Sequence, residues 1–189
     1  MTSRFFRLGA LFMWALVAPA ARADFLINEV DADQIGTDTR EFVELYNSSD
    51  ETPVDLTGLF VITINGNNQR VVGKFQLDAA GLENPLPPTG FMLIANSGAK
   101  PAGFPNNRYI AMASNGLQND TEAVALLRQN NTTDFASITA GTTTLQQVLA
   151  LGCTVVDAVV YAVKADSNDR GQLLQDTPTT LASLLLQPR

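Results

Sequence analysis

Histidine is absent from all 189 residues, and that absence closes off a large part of hydrolytic chemistry. A Ser-His-Asp triad, a Cys-His pair and a His-ligated zinc each need an imidazole as base or ligand. Cysteine occurs once, as Cys153, so no internal disulfide can form, and a thiol without a histidine partner lacks its usual activator. The neighbours Thr154, Val155 and Val156 mark it instead as a small buried group on a strand. The single tryptophan, Trp14, sits in the apolar run near the N-terminus, and aromatics make up only 7% of the chain. Little is left for the aromatic platforms that flank paired carboxylates in a sugar-cleaving cleft. Gly36, Gly58 and Gly66 stand alone in turns, so a glycine-rich phosphate cradle is missing too. The expectation is a protein without catalytic residues, not an enzyme.

Positive charge is the next shortage, with 12 Lys and Arg against 19 Asp and Glu. Arg4 and Arg7 precede an apolar run over residues 8–17, followed by Pro19 and the small-residue site Ala21-Arg22-Ala23. A charged start, a run too short to cross a bilayer of about 30 Å and a small-residue end make the layout of a secretory signal peptide over residues 1–23. The mature chain is expected to begin at Asp24, to have no membrane span after cleavage, and to be secreted, periplasmic or held at the cell surface. Arg4, Arg7 and Arg22 leave with the first 23 residues and no acid does, so nine basic groups face nineteen acidic ones, a balance of −10. Such a field repels phosphate backbones, and direct nucleic-acid binding is not expected. The remaining 166 of 189 residues suffice for one domain with a sizeable core and no crosslinks.

Most of that length reads as strands separated by polar turns. Residues 25–30 alternate, with Leu26, Asn28 and Val30 assigned to one face and Ile27 and Glu29 to the other. Residues 40–47 carry Val43 and Leu45 on one face and Phe42 and Tyr46 on the other, as a central strand would. Glu44, between Phe42 and Tyr46, is then expected to be a buried, hydrogen-bonded structural acid. Residues 59–64 run into an Asn65-Gly66 hairpin turn and return over 71–77. Pro85, Pro87 and Pro88 make 82–90 a loop before the buried strand at 91–95, and 109–112 and 122–128 follow as an edge strand and a further strand. The period changes once: Thr144 with Gln147 forms a capping box, Leu145, Val148 and Leu149 share a face, and Gly152 stops the helix. That helix is expected to plug an end of the fold, before a last strand at 153–163. In the tail, Pro178 opens a leucine cluster that predicts a short helix within 166–189, unless that stretch is a truncation.

Strand, polar loop, strand and tight turn in this order describe an antiparallel meander. The stretches Asn28-Glu29-Val30, then EFVELYN over residues 41–47, then VDLTG over 54–58 resemble the opening of the lamin tail domain. LPPTGFMLI over 86–94 is similar to the family's Pro- and Gly-introduced strand, and Val156-Asp157-Ala158-Val159-Val160-Tyr161 to its V-D-x-V-x-Y strand. The resemblance implies an all-β, immunoglobulin-like antiparallel sandwich over residues 24–165 with one or two short helices. It also implies an exported, non-catalytic interaction module presenting loops or a sheet edge to a protein or cell-surface partner. Two alternatives stand beside it: an accessory domain of an exported nuclease- or phosphatase-type hydrolase, and a calcium-dependent adhesive or matrix protein.

Asp31, Asp33, Asp38 and Glu41 cluster around the first inter-strand connection. Closely spaced carboxylates on a flexible loop supply the hard oxygen ligands that calcium requires. They are the candidate metal ligands, against the plainer reading of a solvated acidic turn. No other cofactor is expected.

Overall fold

A computed structural model describes residues 24–32, 39–117, 121–131 and 134–162. Eight strands, β1 (Phe25–Asp31), β2 (Phe42–Asn47), β3 (Leu59–Asn65), β4 (Val71–Gln76), β5 (Phe91–Ala95), β6 (Tyr109–Ala111), β7 (Thr121–Arg128) and β8 (Thr154–Ala162), are joined by two short helices, α1 (Asp134–Ser137) and α2 (Leu145–Ala150). The strands form two four-stranded sheets, ordered β1-β2-β5-β6 and β4-β3-β7-β8. This is the immunoglobulin-like sandwich that the family resemblance implied. One pairing departs from the antiparallel rule: β6 lies parallel to β5, with Leu93 opposite Tyr109, because the 96–108 connection crosses the sheet instead of turning back. The tail helix expected within 166–189 lies outside the described residues.

Alternation on the inner faces builds the central core. Val43, Leu45, Val61, Met92, Ile94, Val124 and Leu126 are fully buried between the sheets. Each large apolar side chain removed from water contributes about 1.5–3 kcal/mol. Strand β3 is buried on both faces from Leu59 to Ile64, which explains its unbroken apolar run.

A second core lies outside the β4-β3-β7-β8 sheet. Phe60, Ile62 and Ile64 of β3 and Ala123, Ala125 and Leu127 of β7 point outward and are covered by Ile138, Leu145, Val148 and Cys153. The capping box of α2 is present: Gln147 N–H donates to Thr144 Oγ1 at 3.3 Å and Thr144 N–H to Gln147 Oε1 at 2.8 Å. Its position corrects the sequence expectation, since the helix roofs a sheet face and does not plug an end of the sandwich. The segment before it also caps the β4 edge: Gly141 N–H donates to Val71 O at 2.8 Å, and Val71 N–H to Thr143 O at 2.9 Å. Lys74 Nζ holds α1 down, donating to Phe135 O at 3.1 Å and lying 4.5 Å from the Phe135 ring centre. Cys153 is buried and free, as its neighbours suggested. Burial, aided by the charge of Asp134, pushes its thiol above the usual value.

The face assignment of β1 needs a further correction. Phe25 and Ile27 are buried inward, but a register shift between Ile27 and Glu29 lets Asn28 and Glu29 both face solvent and returns Val30 to the core. A bulge of this kind re-aims side chains. The strand's outer side is bonded across the sandwich, where Ile27 N–H donates to the Asp157 carboxylate of β8 at 2.8 Å.

Candidate functional site

The acidic first connection divides in the structure. Asp31 closes β1, in register with Phe42, and Asp33 and Asp38 lie outside the described residues. Glu41 is the surprise, being wholly buried. It shares the inward parity of Val43, Leu45 and Asn47 on β2, so it is part of the interior and not a loop carboxylate open to water. Among the described residues, no group of three or more Asp, Glu, His or Cys side chains is placed to hold a metal ion.

Glu41 belongs to a polar layer at one end of the core. Its Oε2 accepts from Gly116 N–H at 3.1 Å and from Asn96 Nδ2 at 3.4 Å. Across the sandwich, Glu122 is also fully buried, and Tyr161 O–H donates to its Oε2 at 3.2 Å. Burial first, then the neighbouring negative charge of Glu122, hold the Tyr161 phenol well above its usual value. Thr63 Oγ1 joins the layer by donating to Gly116 O at 3.3 Å while accepting from Gly73 N–H at 2.8 Å. Gly116 is required there: a Cβ would stand 2.4 Å from Met112 Cγ. The layer ties the two sheets together by hydrogen bonds where the apolar core ends.

The buried acid of this segment is therefore Glu41, just ahead of β2, and not Glu44 within it. Glu44 is half-exposed on the outer face and accepts from Asn28 Nδ2 at 2.7 Å. Around it lies the outer surface of the β1-β2-β5-β6 sheet. Tyr46 and Phe91, opposite one another across β2 and β5, stack with ring centres 4.5 Å apart. Phe91 is the one large hydrophobic residue, among those described, that is exposed, at 37%. Leu26 pairs with Tyr46 on the β1 side, extending the apolar row. Beside that row, Glu29 and Glu44 stand directly opposite each other.

Against this geometry, the family model of the Lamin Tail Domain matches residues 18–142. The chain belongs to the lamin tail domain family. No curated protein matches it. Lamin tail domains are an immunoglobulin-like, non-catalytic family, which agrees with the all-β sandwich and is compatible with a chain that is no enzyme. The matched stretch ends before β8, so the V-D-x-V-x-Y likeness noted in the sequence falls beyond it.

The stretches that carried the resemblance do structural work in this lamin tail domain. Asn47, at the end of EFVELYN, is fully buried; its Nδ2 donates to Thr52 O at 2.9 Å and to Pro87 O at 2.9 Å, and its Oδ1 accepts from Ser49 N–H at 3.1 Å. VDLTG makes a corner: Leu56 is buried, Asp55 accepts from Thr57 N–H at 2.9 Å, and Gly58 adopts a φ of 72° that favours glycine. A hydrogen bond from the Thr57 side chain, followed by the one from its N–H, holds the Asp55 carboxyl below its usual value. Asn84 Oδ1 and Asp78 Oδ2 receive the N–H groups of Leu56 and Gly58, at 2.9 and 2.8 Å. These residues shape the scaffold, and the described residues leave the outer aromatic face uncovered.

Proposed function

We propose that this lamin tail domain is an exported, non-catalytic interaction module whose contact surface is the outer face of the β1-β2-β5-β6 sheet. The observation that carries the reading is the stacked Tyr46–Phe91 pair on a face that, among the described residues, has no helical roof, while the other sheet is roofed by α1 and α2. Exposed aromatics in a contiguous apolar row mark contact surfaces more often than solvent faces. A photoreactive residue placed at position 91 is expected to give a discrete adduct in the native envelope or secretome, and the same residue at Gln146, on the solvent side of α2, is not. Equal labelling from both positions, or none from position 91, would remove the reading. Export is supported by the layout of residues 1–23 and is checked separately: N-terminal sequencing of exported protein should begin at Asp24, and a start upstream of Leu16 would contradict it.

A further inference from the structure

Resting on that reading, we infer that the open sheet face docks a protein segment carrying a lysine or arginine next to an apolar side chain. The apolar half of the complement is read from the row Leu26, Tyr46 and Phe91, which offers a flat, partly exposed platform. The charged half is read from Glu29 and Glu44. Like charges directly opposed on neighbouring strands destabilise a sheet, and their repulsion is relieved when a cation enters between them. The pair exists only because of the bulge. Without the register shift between Ile27 and Glu29, strand parity would turn Glu29 inward and leave Glu44 without an opposed acid. Asn28, on the same exposed face, donates to Glu44 Oε1 at 2.7 Å and steadies one carboxylate beside the apolar row. A guanidinium or ammonium with an apolar neighbour two residues away along an extended segment meets both features at once, since alternate residues of a strand share a face. The net charge of −7 draws such a segment toward the domain from a distance.

The test uses the full chain and two synthetic probes, an extended peptide of repeating Arg-Ser-Leu-Ser, which sets Arg and Leu on one face, and its counterpart with Glu in place of Arg, titrated by fluorescence anisotropy. Only the Arg peptide is expected to bind. The double variant Glu29→Gln/Glu44→Gln, and separately Phe91→Ser, should each weaken binding about tenfold, while Asp50→Asn/Glu51→Gln, which removes the same charge from an exposed turn, should change it less than about twofold. Equal losses in the two charge variants would mean diffuse attraction to an acidic chain and would overturn the inference, as would binding of the Glu peptide. Dimers in sedimentation that Phe91→Ser abolishes would give the face to a second copy of the chain, with the same result. If the Arg peptide fails while the specific adduct at position 91 persists, the basic-segment inference falls and the interaction reading stands; if both fail, both fall.

Discussion

Among the described residues, the sheet β4-β3-β7-β8 is packed on both sides, inward against the central core and outward against Ile138, Leu145 and Val148, whereas the sheet β1-β2-β5-β6 is packed inward only. Their sequences record the difference. On the outward positions of β3, and of β7 from Ala123 on, stand Phe60, Ile62, Ile64, Ala123, Ala125 and Leu127, all of them apolar. On the outward positions of β1 and β2 stand Leu26, Asn28, Glu29, Phe42, Glu44 and Tyr46, a mixture that neither buries completely nor dissolves as a charged surface does. A face meant only for water would alternate polar residues. A mixed aromatic and acidic face departs from that pattern, which supports the contact proposed for it.

The sharpest way to break this comparison is to truncate one ring on each side. Phe60→Ala should open a cavity in the roofed face and cost about 3–5 kcal/mol, while Phe91→Ala on the open face should cost less than about 1 kcal/mol, both read from urea denaturation. Similar losses would mean that the open face is as packed as the roofed one. Next in size is Glu41→Ala, which leaves Gly116 N–H and Asn96 Nδ2 buried without their acceptor and should cost about 1–3 kcal/mol, loosening both sheets together. An unchanged denaturation midpoint would place Glu41 outside the shared polar layer.

A smaller effect belongs to the loop flanking the open sheet. Arg108 donates to Glu83 through Nε at 2.6 Å and Nη2 at 3.0 Å, and this hydrogen bonding holds the Glu83 carboxyl below its usual value. A depressed carboxyl stabilises the fold above its unfolded value, near 4.3, and that contribution disappears as pH falls through the lower folded value. Because both side chains are about a quarter exposed, removing the pair by Glu83→Gln should cost less than about 1 kcal/mol at neutral pH and nothing once the carboxyl is protonated. A cost that persists in acid would show that charge is not its source. The smallest effect has the opposite sign: Glu29→Gln should stabilise the isolated domain by about 0.2–1 kcal/mol, less in high salt, since it relieves the opposed pair with Glu44. A destabilised variant would mean that the two carboxylates do not repel in the free protein.

The strands, the Asn65-Gly66 hairpin, the capping box at Thr144 and the family were all legible in the chain, because each is a local pattern of period or turn chemistry. What escaped depends on contacts between distant segments. Parity along β2 turns Val43 and Leu45 inward and, carried back two residues, Glu41 as well; the acids of the preceding connection mask that signal by making Glu41 resemble part of a charged loop. The outward turn of Glu29 depends on one extra residue in β1, which alternation alone does not reveal. The seat of α2 on a sheet face was hidden for a different reason. An apolar stripe on a helix says that it is buried and not against what, and the outward residues of β3 and β7 read equally well as those of strands buried in a single core.

Asn47 has a practical consequence beyond the fold. Together with Ser48 and Ser49 it forms an N-x-S acceptor for glycan attachment, and the nitrogen that a glycan would occupy is the one that donates to the carbonyls of Thr52 and Pro87 inside the protein. In a secretory host that modifies such sites during synthesis, every chain decorated at Asn47 would carry a sugar where the corner between β2 and the 84–90 loop has to close. Produced there, the material should separate into a glycosylated fraction that does not fold and a bare fraction that does, and Asn47→Asp would not rescue the yield, because the carboxylate cannot donate to those carbonyls.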